Sequence, residues 1–493
     1  MASDTTPPPV GITGCGAWIP RRRIARKTIA GAHAWFNPAL SGGARGRRAQ
    51  AGWDEDSVTM AVAAVRGALG GADPARVSAL WLASTTLPFA DRQNATLVAE
   101  ACGVPGPVRT LDLAGSLRAG TGALLAGLLD GGLPAGATAV VAAADTRRAK
   151  PASADELAFG HAAAAVTLGR EGVIARLLAW RSESEDLVDH YRAAGSDHDY
   201  RWEERWARDE GVVRQAPPVV RVLLESAGVA AAEVARVIVP AASAGDAQRI
   251  AKACGLAPDR VVDTLADGCG HAGAAHPLLL LARCLEDAEP GERILVTGFG
   301  QGFDALLFEV TDAIRDRRPA ATISEALAGG WEDDNYLRFL AFEGNVELET
   351  GIRAEADLKT AHSVAYRSHA AVTGLHAGRC TACGTVQFPP ERVCVNRDCG
   401  AIDRMEPYRL ADRPARVVSF TRDALAYHPD PPVEYGMVEF EGGGRLLAEF
   451  TEWERVPLAV GAEARLVFRI KDQDRIRGFR RYFWKAVPAT RGE

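Results

Sequence analysis

The sequence predicts a layered α/β protein followed by a small antiparallel barrel, with a cysteine knuckle between them. Three observations predict it. Apolar runs alternate with segments of helical periodicity through residues 10–310, as when helices pack on mixed sheets. Four of the nine cysteines crowd into residues 380–399. Beyond residue 413, short segments alternate apolar and polar residues between Gly- and Pro-rich turns, the pattern of a half-buried antiparallel sheet.

Composition sets the bounds. A chain of 493 residues has room for about two to four domains, and 47% hydrophobic residues supply sizeable cores. The formal charge of −6 is mild for this length and argues against a dedicated nucleic-acid binder. There is no charge-free run of about 18 apolar residues, so no membrane-spanning helix is expected. The start, "MASDTTPPPVGITGCG", lacks the basic and apolar regions of a signal peptide. An odd cysteine count with one tight cluster fits a metal site in a reducing cytoplasm better than a disulfide framework.

The elements follow in order. "VGITGCGAWIP" reads as a strand with a glycine-rich end, and "DEDSVTMAVAAVRGAL" as a helix after acidic starters. "VSALWLAST" is apolar throughout, as in a strand buried on both faces. "NATLVAEACGV" is helical, "VRTLDLAG" extended and "GTGALLAGLLDGG" helical. "ATAVVAAAD" and "AAAAVTLGR" are further buried strands. The order then recurs: "PVVRVLLESAGV" helical, "VARVIVPAAS" extended, "AQRIAKACGL" and "PLLLLARCLEDA" helical. "ERILVTGFGQGFDALLFEV" reads as two strands joined by a glycine-rich turn. Two α/β halves of roughly 150 residues each are expected, similar in element order rather than in sequence. From Trp331 the chain turns charged and helical, which reads as a connector.

"CTACGTVQFPPERVCVNRDCG" supplies Cys380, Cys383, Cys394 and Cys399. The C-x-x-C-G pair bends the backbone so that both sulfurs face one metal, and four thiolates suit a closed, structural zinc site. Sulfur ligands alone leave iron open. The other cysteines, Cys15, Cys102, Cys254, Cys269 and Cys284, read as small core residues, with Cys269 the least secure because its loop carries a histidine motif.

This ribbon and the segment after it resemble the DUF35 module, a rubredoxin-like zinc ribbon followed by an OB-fold. Residues 9–312 resemble the thiolase superfamily, in its hydroxymethylglutaryl-CoA-synthase-like and ketoacyl-synthase-III-like branch. The matching pieces are "GITGCGAWIP", "LWLASTTLPFADRQNA", "SLRAGTGALLAGL", "VVAAADTRRAK", "FGHAAAAVTLG", "GCGHAGAAHPLLLLA" and "GFGQGFDALLFEV", in the family's order. The resemblance implies a five-layered α-β-α-β-α domain at 9–315, a helical connector at 316–370, a zinc ribbon at 371–412 and an OB-fold at 413–489. It also implies a homodimer, or a hetero-complex with another thiolase-fold subunit, and a CoA thioester or acyl carrier protein as ligand.

The family's chemistry uses a cysteine at a helix N-terminus, where the thiolate is favoured. The nucleophile pattern C-[KRY]-[AG]-G-T falls on Leu117–Thr121, so the cysteine's position holds Leu117. Ser116 is adjacent, but an activated serine needs a neighbouring base. The strand that should lead to the first family histidine runs into Pro240 instead. "GHAG" places His271 where the family has an Asn or His at the substrate carbonyl; the other reading is a loop histidine satisfied by backbone. The glycine loop, Gly298, Gly300 and Gly302, is intact. His161 and His276 read as structural.

Arg147 and Arg148, and Arg21, Arg22 and Arg23, are candidates for CoA phosphates or else a solvated charged face. The basic, aromatic "RIKDQDRIRGFRRYFWKA" could meet nucleic acid, CoA or the α/β domain, and the family context favours the last two. Three functions are therefore expected in order: C–C chemistry on acyl-CoA without a covalent intermediate, as in the aldolases that work with DUF35 modules; a non-catalytic partner that binds acyl-CoA or acyl carrier; and an acyltransferase using Ser116 or Cys269. Ordinary cysteine-dependent hydroxymethylglutaryl-CoA synthesis is not expected.

Overall fold

The apolar runs of the first 310 residues assemble into one nine-stranded sheet. The computed structural model describes residues 9–201, 203–318 and 323–489. The N-terminal octet, part of the segment read for a leader, and residues 319–322 of the expected connector lie outside the described residues. The strands are β1 (Gly11–Trp18), β2 (Val77–Ala83), β3 (Arg109–Leu113), β4 (Thr138–Asp145), β5 (Ala162–Gly169), β6 (Ala175–Ser184), β7 (Val234–Ile238), β8 (Arg293–Phe299) and β9 (Gly302–Val310). Their order across the sheet is β7-β8-β9-β6-β1-β5-β4-β2-β3.

This sheet is a duplication. Outward from β1, β5 and β4 pair antiparallel, then β2 and β3 pair parallel. Outward from β6, β9 and β8 pair antiparallel and β7 pairs parallel. The fifth position is reduced to one parallel bridge, Val237 to Val261. The halves join where β1 and β6 pair over Gly11–Arg176 and Ile12–Ala175.

Helices complete the layers. α1 (Ser57–Leu69) covers β1, β4 and β5 on the outside of the first half. Its acidic starter works as expected: the Asp56 carboxylate accepts the Thr59 N–H at 3.0 Å and the Thr59 hydroxyl accepts the Asp56 N–H at 2.8 Å, a reciprocal cap. α2 (Ala119–Leu128) and α5 (His276–Leu285) touch strands of both halves and form the middle layer. α3 (Arg214–Ala227) packs outside β6 and β9, with α4 (Ala244–Ala253) beside it. Burying the sheet on both faces explains why its strands are apolar throughout rather than alternating.

The expected connector 316–370 is not one helical element. Tyr336–Phe342 is a helix of the first unit, with Phe339 1% exposed and packed with Ile24, Ile29 and Leu157. Trp331–Glu332 pairs as a strand with Arg22–Arg23. Compact units divide at Val346/Glu347, and the second also takes in Trp53–Glu55 and Glu100–Gly103.

In the second unit, β10 (His376–Cys380), β11 (Val386–Gln387) and β12 (Met405–Arg409) form the ribbon sheet, ordered β11-β10-β12. β13 (Ala415–Asp423), β14 (Val433–Phe440), β15 (Arg445–Glu449), β16 (Glu463–Asp474) and β17 (Phe479–Pro488) follow in the order β15-β14-β13-β16-β17, all antiparallel. A bridge from Phe450 to Ala486 closes the barrel.

Candidate functional site

Two groups of residues meet at the ends of β4 and β8. Ser116–Arg118 forms the turn before α2, and His271 lies in the loop before α5. Glycines let the backbones touch. A Cβ on Gly300 would stand 2.4 Å from Ser116 Oγ and 3.3 Å from the Leu117 nitrogen. One on Gly120 would stand 2.1 Å from the Ala274 carbonyl oxygen, and one on Gly298 2.3 Å from Thr121 Oγ1. The helix tip, the glycine loop and the histidine loop are thus brought together.

Leu117 is partly buried at the turn, two residues before the first residue of α2. Ser116 is spent on structure: its hydroxyl donates to the Gly300 carbonyl at 3.0 Å and accepts the Arg118 N–H at 3.2 Å. The Arg118 guanidinium turns away to Asp304 at 3.0 Å, Ser182 at 3.2 Å and Ser184 at 3.0 Å. In the glycine loop the Gly300 N–H donates to the Gly302 carbonyl at 3.1 Å.

His271 sits with both ring nitrogens on backbone partners. Nδ1 accepts the Gly273 N–H at 3.2 Å, which leaves the proton on Nε2, 3.2 Å from the Pro240 carbonyl oxygen. Pro240 follows β7, the strand that the resemblance expects to lead to a first histidine. Burial, then the neighbouring His276 and Arg147, hold the His271 imidazole well below its ordinary pKa, so it is neutral at pH 7. Its ring lies 4.4 Å from that of His276. His276 is the first residue of α5 and fully buried; burial lowers it to about 4. His161 is structural as expected, with Nδ1 accepting the Ala51 N–H at 3.0 Å.

Asp145, at the end of β4, escaped the sequence reading. Its buried carboxylate accepts Ser84 Oγ at 2.9 Å, Thr85 N at 2.7 Å, Thr85 Oγ1 at 3.0 Å and Thr86 Oγ1 at 3.0 Å. It also accepts Ala274 N at 2.7 Å, which ties the histidine loop to the end of β2. The hydroxyl run "STT" after a buried strand and the aspartate closing "VVAAAD" were the available signals.

The expected phosphate-facing arginines are placed otherwise. Arg147 is 1% exposed; it pairs with Asp199 at 2.6 Å and its guanidinium carbon lies 3.9 Å from the Phe159 ring centre. Arg148 is partly exposed, 3.7 Å from Asp197. Arg21, Arg22 and Arg23 are buried, and Arg22 pairs with Asp333 at 2.6 Å. Burial decides this for the first run: Arg22 and Arg23 lie on the middle strand of a three-stranded sheet, paired on both sides, and cannot remain a solvated face. Cys269 is 1% exposed, and burial raises its thiol to about 11, so it is protonated at pH 7.

In the second unit, Cys380, Cys383, Cys394 and Cys399 bring their sulfurs within 4.8 Å of one another. Cys380–Cys399 measures 3.9 Å and Cys383–Cys394 3.6 Å. Tetrahedral zinc with Zn–S bonds of about 2.3 Å needs sulfurs about 3.8 Å apart, so the four fit the metal, Cys399 with its wider spacing included. The basic C-terminal stretch forms β16 and β17. There Arg469 and Lys485 are buried and paired with Glu452 at 2.6 Å and Glu449 at 2.8 Å, and Trp484 is fully buried.

Comparison with known proteins follows this division. Residues 370–402 match the family model for the ChsH2 rubredoxin-like zinc ribbon, and 408–469 that for the ChsH2 C-terminal OB-fold. Residues 224–309 match the C-terminal part of 3-oxoacyl-[acyl-carrier-protein (ACP)] synthase III. The fold is shared with MvaS solved in complex with 3-hydroxy-3-methylglutaryl coenzyme A (TM-score 0.56, 21% identity, 65% of this chain and 91% of that one). It is shared also with the curacin-pathway HMG synthase solved with acetyl donor-ACP (TM-score 0.55, 16% identity, 70% and 93%).

The molecule is thus a thiolase-like α/β domain carrying a zinc ribbon and an OB-fold. The hydroxymethylglutaryl-CoA synthase of Methanopyrus kandleri is 30% identical over 329 residues, 64% of this chain and 92% of that protein. The chain belongs to the hydroxymethylglutaryl-CoA synthase family.

Proposed function

We propose that the chain binds acyl-CoA thioesters and makes or breaks a C–C bond in aldol fashion, without a covalent acyl-enzyme. The observation that carries this is Leu117 at the helix tip, beside a Ser116 hydroxyl already given to Gly300. Relatives solved with 3-hydroxy-3-methylglutaryl-CoA and with an acyl carrier support a thioester ligand. In the cleavage direction the β-hydroxyl loses its proton, the Cα–Cβ bond breaks to a carbonyl and a thioester enolate, and the enolate takes up a proton. Neutral His271 suits the enolate oxygen, because its fixed tautomer presents an Nε2–H donor in exchange for the Pro240 carbonyl. The four cysteines hold a structural zinc, which has no open position for substrate.

A second reading, a non-catalytic partner that binds acyl-CoA or acyl carrier, draws on one observation: both His271 nitrogens and the Gly300 N–H are already paired within the chain. An acyltransferase is the least supported, since neither Ser116 nor Cys269 is set as a nucleophile. We further infer a homodimer through the first unit, whose outer strand β3 exposes Leu111, or a hetero-complex with another thiolase-fold subunit. The free thiols fit a cytoplasmic location. Among the described residues no helix is long and apolar enough to cross a membrane.

The test is to incubate the purified chain with acetyl-CoA and with a 3-hydroxyacyl-CoA. Unchanged intact mass, cleavage of the hydroxyacyl thioester and its loss in His271→Ala are expected. An acyl adduct on the protein, or turnover indifferent to His271, refutes the reading. Turnover only with a co-purifying subunit favours the partner role.

A further inference from the structure

A histidine outside the loops described above is arranged as a proton acceptor. A short hairpin, His190–Tyr191 paired with Tyr200–Arg201, follows β6. The Asp189 and His190 side chains are 14% and 12% exposed, and His190 Nδ1 lies 2.8 Å from Asp189 Oδ2. A carboxylate only accepts, so Nδ1 carries the proton of the neutral imidazole and Nε2 keeps a lone pair. Nε2 has no partner among the described residues and stays open to solvent. A carboxylate behind an imidazole whose far nitrogen is open fixes the tautomer and orientation that a general base needs.

The hairpin is tied to each part of the candidate site. Asp189 Oδ1 accepts from Gln301 Nε2 at 3.1 Å. Gln301 stands in the glycine loop between Gly300 and Gly302, with a left-handed φ of 47°, strained for any residue but glycine. Its carbonyl accepts from Arg118 Nη2 at 3.4 Å, so the residue that anchors the Asp189–His190 pair also touches the helix tip. Arg192 donates to the carbonyl of Thr85, whose side chain holds Asp145. Arg201 stands opposite His190 in the hairpin and pairs with Asp155 at 3.2 Å. The Asp155 carbonyl accepts the Phe159 N–H at 2.9 Å, and Phe159 bridges to His271. His190 is therefore held by residues that reach the helix tip on one side and the histidine loop on the other.

We propose that His190 is the acid/base group of the C–C step, an inference that rests on the acyl-CoA reading above. In the cleavage direction Nε2 takes the proton of the β-hydroxyl. The O–H electron pair becomes the second bond of the new carbonyl, and the Cα–Cβ pair passes to the thioester enolate. The imidazolium then returns its proton to Cα, so no co-reactant is needed. The two histidines divide the work by their surroundings. His271 has both nitrogens on backbone partners and can present only a donor, whereas His190 has a lone pair free.

Cleavage of 3-hydroxybutyryl-CoA and of 3-hydroxy-3-methylglutaryl-CoA by the full chain tests it, in wild type, His190→Gln and His190→Ala. His190→Gln is expected to lose about a hundred- to ten-thousandfold in turnover. It is expected to keep the wild-type affinity for butyryl-CoA and the wild-type melting temperature. Added imidazole is expected to restore part of the turnover lost in His190→Ala, which a merely structural role would not allow. Turnover in His190→Gln within tenfold of wild type, or a His190→Ala protein that imidazole leaves unchanged, overturns the role of His190 and leaves the acyl-CoA reading standing. Wild type that cleaves neither thioester overturns both.

Discussion

Two glycines on one helix predict opposite outcomes for the same substitution. In α2, Gly120→Ala and Gly122→Ala each replace glycine by the best helix former, a gain of up to about 1 kcal/mol. Around Gly122 there is no heavy atom within 4 Å of the added Cβ, so the gain stands. At Gly120 the Cβ would lie 2.1 Å from the Ala274 carbonyl oxygen, and relief to an attainable contact needs a shift of about 0.9 Å. Neither side yields easily. Ala274 is held through its N–H by Asp145 at 2.7 Å, and α2 is packed between the two half-sheets. Overpacking of this kind costs about 1–3 kcal/mol, and with both partners fixed the upper end applies. The net loss for Gly120→Ala is therefore about 2 kcal/mol, or roughly 2–4 °C in Tm for a unit of this size. Gly122→Ala is expected to raise Tm by roughly 1–2 °C. Scanning calorimetry of the two variants beside wild type decides it. A Gly120→Ala protein as stable as wild type, or two variants shifting in the same direction, refutes the close approach of helix tip and histidine loop.

Two further outcomes are expected. Elemental analysis should find about one zinc per chain, and Cys399→Ser should lose it together with protease resistance of the ribbon; full metal retention would remove Cys399 from the ligand set. Fully buried His276, lowered to about 4 from an ordinary 6.5, stays neutral in the fold while the unfolded chain takes up a proton. Stability is therefore whole above about pH 6.5 and falls by about 3 kcal/mol as pH drops toward 4. Urea melts across this range should show a shallower slope in His276→Asn, and an unchanged slope would place the acid sensitivity elsewhere.

The resemblance to the thiolase fold was legible because its strands, buried on both faces, write continuous apolar runs, and its close backbone contacts demand glycine at fixed places such as Gly120 and Gly298. The ribbon was legible because metal geometry constrains cysteine spacing tightly enough to survive the wider gap before Cys399. What faces what was not legible. Arg147 and Arg21–Arg23 look like phosphate binders in one dimension; only the packing shows Arg147 sealed on Asp199 and Arg22 on Asp333. The segment after Trp331 reads as a connector because it is charged, yet Phe339 and Leu340 draw its first half into the first unit.

By itself, then, the sequence determined the architecture, the cluster of four cysteines and the leucine that stands at 117 where the resemblance expects a cysteine, since each is a matter of residue type and spacing along the chain. The tertiary structure decided the state of the groups that remain. Whether Ser116 or His271 is paired depends on carbonyls and amides brought in from Gly300, Pro240 and Gly273. Backbone polar groups are the same at every residue, so no sequence pattern announces which of them a side chain will meet.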